Sequence, residues 1–553
     1  MTMTKTITKT TTMTLKTLTI ALLSALSLHA TAQDSLYIRY DNRFKDNKFL
    51  MDVSEFDSIE FRSKGTLPVI RRYKDGEYTD RTYTGITDGK SALVMGDPGL
   101  ILWKPTTSDA NYNNDYTIDT NRWCFKHSKE SEHFVVFWDK TFGELTSGKV
   151  TGSVSGLTVN ITDLLNKAEQ FYSTNVNTLH MCVVGEGKSQ LDHYKMAIYL
   201  IDMKDWLATG SGNDNKIGTL WVSPNTCQPV GSTIGHEIGH SFQYQTYCDN
   251  ILQGKKNDFR SGFRYGYPAS NGGCGFWEQC AQWQSFQDYP AEAIQSYHFS
   301  VWIQNCHRHF EHEWQRYASY WEQFYWTETN GITALGRIWN ESAYPEDANQ
   351  AYMRIFLNNS YETLRKQLFE YAQRTVTFDY NKVRMYVGTS YNSYSTRLYS
   401  AGDGWQQIGY EQCPQPTGFN VIPLSTTTAG RTVSVSLRAL PAGGALPEGD
   451  EGRMVDGDGN KVGTTTTYNK TAIAGHEALA FGFVVLKTDG TREYSPMTIA
   501  TTDADATATL TLPEKTRKAW VVVQGSPDQY FQCPWDDKET TDNQLPYKIK
   551  IEQ

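Results

Sequence analysis

The stretch Gly235-His236-Glu237-Ile238-Gly239-His240 constrains this chain more than any other. Its two histidines are four residues apart, and on a helix residues at that spacing share a face. On such a helix His236 and His240 can hold a single tetrahedral Zn²⁺. Glu237 then lies where it can take a proton from a zinc-bound water. The bare five-residue pattern also arises by chance. A helical context, small glycines around it and a carboxylate downstream favour the metal reading here.

A catalytic zinc site takes three protein ligands and keeps one position open. A third histidine six residues after His240 would mark the metzincin arrangement, but position 246 is Thr. Between His240 and Glu278 the only acids are Asp249 and Asp258, both read as loop residues. Glu278 is the first glutamate after the motif. It falls in Phe276–Gln287, where apolar residues recur at three and four and predict a helix. Glu278 is therefore the expected third ligand. The bland alternative is an ordinary carboxylate near a helix N-terminus, where acids are favoured.

Such a site also needs a donor for the oxyanion of a tetrahedral intermediate. Cys306–Tyr317 is rich in histidine, and His312, with Tyr317 behind it, is the expected donor. The polar face of a surface helix is the competing reading. A second metal at His309 and His312 is the weaker option. Asp456-Gly-Asp-Gly-Asn lacks the closing Glu of a calcium loop and reads as a tight turn. No Gly-x-Ser-x-Gly or P-loop pattern occurs.

Residues 1–32 carry the marks of an export signal: Lys5, Lys9 and Lys16, an apolar run from Leu18 to Leu28, and the small-x-small site Ala30-Thr31-Ala32. Cleavage would start the mature chain near Gln33 and move the net charge from -9 to -12, because three lysines leave and no acid does. The expected locations are the medium, the periplasm or the cell surface. No later run is long and apolar enough to span a bilayer. The acidic balance argues against nucleic acid as a partner. Nine cysteines make an odd number with no CxxC pair. Cys274 and Cys280 are close enough to bridge, but a chain of this length does not depend on disulfides. The many aromatics suit a large core and also peptide or glycan grooves.

The expected fold class is α+β. Residues 33–123 form a leader with strands at Ser35–Tyr40 and Asp57–Phe61 and irregular chain from 63 to 122. Residues 124–412 form the main domain. In it, strands are predicted at Glu132–Trp138, Lys195–Asp202 and Gly218–Ser223, the last at a sheet edge, with a turn at Ser211–Asn215. A helix over Ile161–Tyr172 would start at Thr162 or Asp163, and a loop of about 25 residues follows the motif helix. The half beyond Ala291 reads as mostly helical. From 413 to 553 valine, threonine and glycine dominate and helical periodicity stops, predicting an all-β sandwich.

His236-Glu-Ile-Gly-His240 with Trp277-Glu278-Gln-Cys-Ala281 resembles the gluzincin layout, HExxH followed by a helix with Glu-x-x-Ala. More narrowly, the chain from about 124 resembles a group of secreted bacterial zincin-like proteins from Bacteroidetes. The shared marks are Ser131-Glu-His-Phe-Val-Val, Gln243 on the motif helix, Phe276-Trp-Glu-x-x-Ala, His312-Glu-Trp-Gln-Arg-Tyr317, Gly482-Phe-Val-Val-Leu and Pro546-Tyr-Lys-Ile-Lys-Ile. The resemblance implies a zincin-like metallopeptidase domain with an appended β-sandwich. The expected activity is zinc-dependent hydrolysis of peptide bonds in proteins or glycoproteins. The rivals are a zincin scaffold that binds glycans or glycoproteins without turnover, and a zinc hydrolase acting on another bond.

Overall fold

Tyr-Lys-Met-Ala-Ile-Tyr-Leu is short and, after its lysine, continuously apolar, and it forms a central strand because both its faces can be buried. The computed structural model describes residues 100–106, 116, 118–255, 273–343, 345–447, 467–535 and 539–553, with strand segments between 11 and 95. The chain is α+β and divides into two units, residues 1–176 with 182–255, and residues 177–181 with 256–553. Among the described residues no helix is long and apolar enough to cross a membrane.

In the first unit, β1 (Ser128–Glu130), β2 (Phe134–Trp138), β3 (Tyr194–Leu200), β4 (Ala208–Asn213) and β5 (Ile217–Val222) lie in the order β1-β2-β3-β5-β4, with Ile101–Leu102 also paired to β3. β2, β3 and β5 run parallel, in the register Val136↔Ile198↔Leu220. β1 and β4 close the two ends antiparallel. The expected strand at 218–223 is thus interior, and the edge is β4, read from sequence as a turn. The turn itself is Asp214-Asn215, whose backbones take φ of 55° and 53°.

Two helices complete this layer. α1 (Ile161–Ser173) places Leu164, Leu165, Ala168 and Phe171 on its buried stripe, and α2 (Ser232–Leu252) carries the histidine motif. The cap of α1 is Asn160, whose side chain accepts from the Asp163 amide, so the helix starts before the expected Thr162 or Asp163. The leader region is more regular than its composition suggests. Ser58–Lys64, Leu67–Lys74 and Glu77–Thr82 form an antiparallel meander, and Ser35–Tyr40 pairs with Ser91–Met95. Apart from the strand Thr11–Met13, the expected export signal lies outside the described residues, as do most of the loop after α2 and the Asp456 turn.

The second unit opens with α3 (Gly273–Ser285), followed by α4 (Tyr297–Asn305), α5 (Trp321–Asn330), α6 (Ala334–Glu341), α7 (Ala348–Phe356) and α8 (Tyr361–Val376). An antiparallel β-sandwich follows. One sheet is Leu398–Ser400, Gln406–Ile408, Tyr547–Glu552, Thr432–Ala439 and Ala506–Thr511; the other is Phe419–Pro423, Thr516–Gly525, Ala478–Lys487 and Arg492–Tyr494, with Thr498–Thr501 also on Ala478–Lys487. Val433, Val435 and Leu437 of the first meet Phe481, Phe483, Val521 and Val523 of the second in one core. The sandwich begins at Leu398, ahead of the expected boundary at 413. Every described cysteine is a free thiol, Cys280 included.

Candidate metal centre

α2 lies unusually close to its sheet, and glycines on the strands permit it. A Cβ on Gly210 of β4 would stand 2.0 Å from the Glu237 carbonyl oxygen and 2.7 Å from the His240 Cβ. One on Gly218 of β5 would stand 2.5 Å from the Ser241 carbonyl oxygen. The Ser241 hydroxyl donates to the Thr219 carbonyl at 3.1 Å, tying helix to strand. Gly235, inside the motif, leaves room for the Phe171 ring of α1.

This packing fixes the helix face that matters. His236, Glu237 and His240 are all buried. The two imidazoles sit edge to face with centroids 4.6 Å apart, as the i, i+4 spacing requires. His240 Nδ1 is 3.0 Å from Gln243 Oε1. An amide oxygen only accepts, so Nδ1 carries the hydrogen, and in that tautomer Nε2 is the nitrogen able to ligate a metal. Gln243 is itself 1 % exposed, so water does not compete for that bond.

Glu278, Tyr317 and His312 belong to the second unit. α3 is anchored by its inner face: Phe276, Cys280, Ala281 and Trp283 are fully buried. Gln279 donates to the Phe310 carbonyl and accepts from Gln323 at 2.9 Å. Gly275 lets the helix start against the loop, since a Cβ there would stand 2.7 Å from the Glu311 carbonyl oxygen. Glu278 is turned away from that face and is half-buried. Its Oε1 accepts a hydrogen bond from the Tyr317 hydroxyl at 3.1 Å. Burial, and then the Glu278 carboxylate beside it, push the Tyr317 phenol above its usual range, so it stays a donor at neutral pH.

His312 is placed differently from expectation. The segment 306–317 is a series of turns with one short 3₁₀ piece, Glu313–Gln315, and His312 caps that piece. Its Nδ1 accepts from the Trp314 amide at 3.1 Å, and its Nε2 is 3.0 Å from Asp542 Oδ2. The ring is 1 % exposed. Both nitrogens are therefore occupied inside the fold, and neither is available as an oxyanion donor. His309 likewise accepts from the Glu311 amide at Nδ1 (3.2 Å), and burial pulls its pKa down to about 3. It does not join His312 in a metal-binding group among the described residues. His312, Glu539 and Asp542 do come within 4.8 Å of one another. With Nδ1 taken by Trp314, however, the hydrogen of a neutral His312 sits on Nε2, facing Asp542. Arg308 fills the cation's place, donating to Glu539 at 2.8 Å and lying over Trp314 at 4.0 Å. This is an internal ion-pair network that pins the chain near 539–542, and sequence reasoning missed it.

Comparisons with known proteins add the family. No curated protein matches the chain. Among solved structures, it is similar to the family 22 carbohydrate-binding module of Clostridium thermocellum Xyn10B at 11% identity, over 28% of this chain and 77% of that one, with a TM-score of 0.16. It is also similar to a functionally unknown conserved protein from Bacillus anthracis, studied as a mutant, at 10% identity over 79% and 92%, with a TM-score of 0.25. At these TM-scores neither likeness carries an argument. Residues 101–553 match the family of unknown function DUF6055, and the chain belongs to that family.

Proposed function

We propose that this is an exported zinc-dependent peptidase of gluzincin type, with His236, His240 and Glu278 as the metal ligands. The observation that carries the reading is the His236–His240 pair on one buried helix face, with His240 held in its metal-binding tautomer by Gln243. Two imidazole nitrogens and one carboxylate oxygen are a donor set that suits zinc and leaves a fourth position open. A bound zinc ion would supply Lewis acidity, polarising a carbonyl and acidifying water at neutral pH. Glu237, adjacent to His236, takes the proton from the attacking water and delivers it to the departing amine. Tyr317 gives its one hydroxyl hydrogen to an oxygen of Glu278, and it serves a substrate carbonyl oxygen only by turning that hydrogen away from Glu278.

The test has two parts. Purified protein should contain one zinc per chain by elemental analysis, lost in His236→Ala and His240→Ala. It should cleave a panel of labelled proteins and glycoproteins in a chelator-sensitive way, and Glu237→Gln should keep the zinc and lose the cleavage. Zinc without cleavage of any protein would leave the binding scaffold or the non-peptide hydrolase in its place. No zinc would end the reading altogether.

A further inference from the structure

Beside Tyr317 stands a cation that the proposed chemistry does not use. The guanidinium carbon of Arg316 lies 5.4 Å from the Tyr317 ring centre and 5.8 Å from that of Trp535. Among the described residues no carboxylate pairs with it. Six other arginines between residues 300 and 390 are each paired with an acid: Arg308 with Glu539, Arg337 with Glu341, Arg354 with Glu346, Arg365 with Glu362, Arg374 with Glu328 and Arg384 with Asp379. Arg316 is instead held between two aromatic rings and half-buried. Aromatic faces fix a guanidinium in place, and beyond the hydrogen bond Arg316 makes to Tyr317 the fork keeps N–H donors for a planar anion. The neighbouring surface continues the theme of flat rings: Tyr317 faces His298 at 5.8 Å, and His298 lies tilted against Tyr297 at 4.0 Å, with Tyr297 71% exposed. Through Tyr317 the arginine is one residue from the hydroxyl that holds Glu278. The acids that follow Trp535 in sequence, Asp536 and Asp537, lie outside the described residues.

We propose that Arg316 is a subsite for a carboxylate of the substrate, so that the protein prefers peptides carrying an acidic group close to the bond it cuts. This rests on the peptidase reading for the word substrate, but the recognition itself does not. Arg–carboxylate pairing is bidentate and charge-assisted, and its loss weakens binding about 10- to 100-fold. The carboxylate can be an Asp or Glu side chain or the peptide's own C-terminus, and the two sources are separable.

The experiment uses the full-length zinc-loaded protein and peptides of one core sequence in matched pairs. One pair has a free or an amidated C-terminus. The others carry Glu or Gln at each of the positions flanking the cleaved bond. At least one acidic peptide should exceed its neutral twin tenfold or more in kcat/KM, chiefly through KM. That ratio should fall to near one in Arg316→Gln and stay partly intact in Arg316→Lys. The pair that responds names the source. The same pairs are titrated by calorimetry onto zinc-free protein, where the acidic preference and its loss in Arg316→Gln should persist. If no peptide is cleaved, the peptidase reading fails while this binding arm still decides the subsite. Equal treatment of acidic and neutral twins in both arms, or a preference that survives Arg316→Gln in a protein of unchanged melting temperature, would overturn the proposal.

Discussion

Gln243→Leu isolates what orients His240. The wild-type contact is a single 3.0 Å hydrogen bond between His240 Nδ1 and Gln243 Oε1, in a position 1 % exposed. Leucine has nearly the same reach and keeps the site packed, and the change removes the acceptor for His240 together with the amide's N–H donors. Without metal, His240 can shift its hydrogen to Nε2, and the loss is one ordinary buried hydrogen bond, about 1 kcal/mol of stability. With metal on Nε2 that escape is closed, and an Nδ1–H is left buried and unpaired at a further cost of about 1–3 kcal/mol. The difference falls on the metal-bound state alone. Zinc should therefore bind roughly 10- to 100-fold more weakly, the range seen when a partner that orients a histidine ligand is removed. Competition against a chromogenic chelator measures the affinity, and urea denaturation of the metal-free protein measures the rest. Gln243→Glu makes the opposite prediction, because a carboxylate strengthens the imidazole as a ligand and zinc should bind more tightly. An unchanged zinc affinity in Gln243→Leu with a lowered melting temperature would show that Gln243 only packs, and the tautomer argument would fail.

Four further outcomes are expected. Gly210→Ala drives a methyl into the Glu237 carbonyl oxygen, 2.0 Å away at the ideal Cβ position, and should cost roughly 3 kcal/mol in denaturant melts, whereas Gly231→Ala, with no contact nearer than 3.9 Å, should cost far less. Tyr317→Phe should lower kcat about 100-fold at near-constant zinc content if its hydroxyl serves the carbonyl oxygen, whereas a loss of zinc alone would make it only a brace for Glu278. His312→Gln should cost about 3 kcal/mol by breaking the buried network with Asp542, Arg308 and Glu539, yet leave kcat per folded molecule intact. Burial raises the pKa of Glu311 and Glu322 well above the usual carboxylate range and that of Asp347 to about 7; the unfolded chain then loses these protons first, near pH 4, so stability should fall as pH rises from about 4 towards 7, by about 1.4 kcal/mol per pH unit for each group still protonated only in the fold, and Glu322→Gln should flatten that slope in urea melts.

What was legible in the sequence was whatever a single period determines. Alternation or continuous apolar character found Phe134–Trp138 and Tyr194–Leu200, and the 3.6-residue spacing found Ile161–Ser173 and the helix around Glu278. The motif helix was legible for the same reason: His236 and His240 make chemical sense at one spacing only. Ala208–Asn213 escaped because its strand character is not in its own side chains. Its glycines read as a turn, while their physical purpose is to let α2 settle onto the sheet. The stretch 306–317 failed in the opposite direction. Its charged and aromatic residues suggested a helix, but Arg308 and His312 find their partners at Glu539 and Asp542, some two hundred residues away. Gln415 adds its own bond to Asp542 at 2.9 Å. No local period encodes an ion-pair network of that span, and once it forms the backbone follows it rather than the helix.

The same contrast bears on the proposed site. Its orienting partners are neutral: Gln243 for His240 and Tyr317 for Glu278. Two neutral imidazoles and one carboxylate would leave a divalent ion with a net charge of about +1, and neutral partners do not reduce it further. That residual charge is what favours ionised water near neutral pH and the developing oxyanion of a carbonyl. A site built to store zinc would gain from carboxylates in both orienting positions, since each added negative charge tightens the hold. The chain instead places an amide and a phenol there and puts a carboxylate at Glu237, beside His236, where a base is useful. On the peptidase reading proposed above, this charge distribution suits turnover better than storage, and Gln243→Glu should bind zinc better and cleave more slowly.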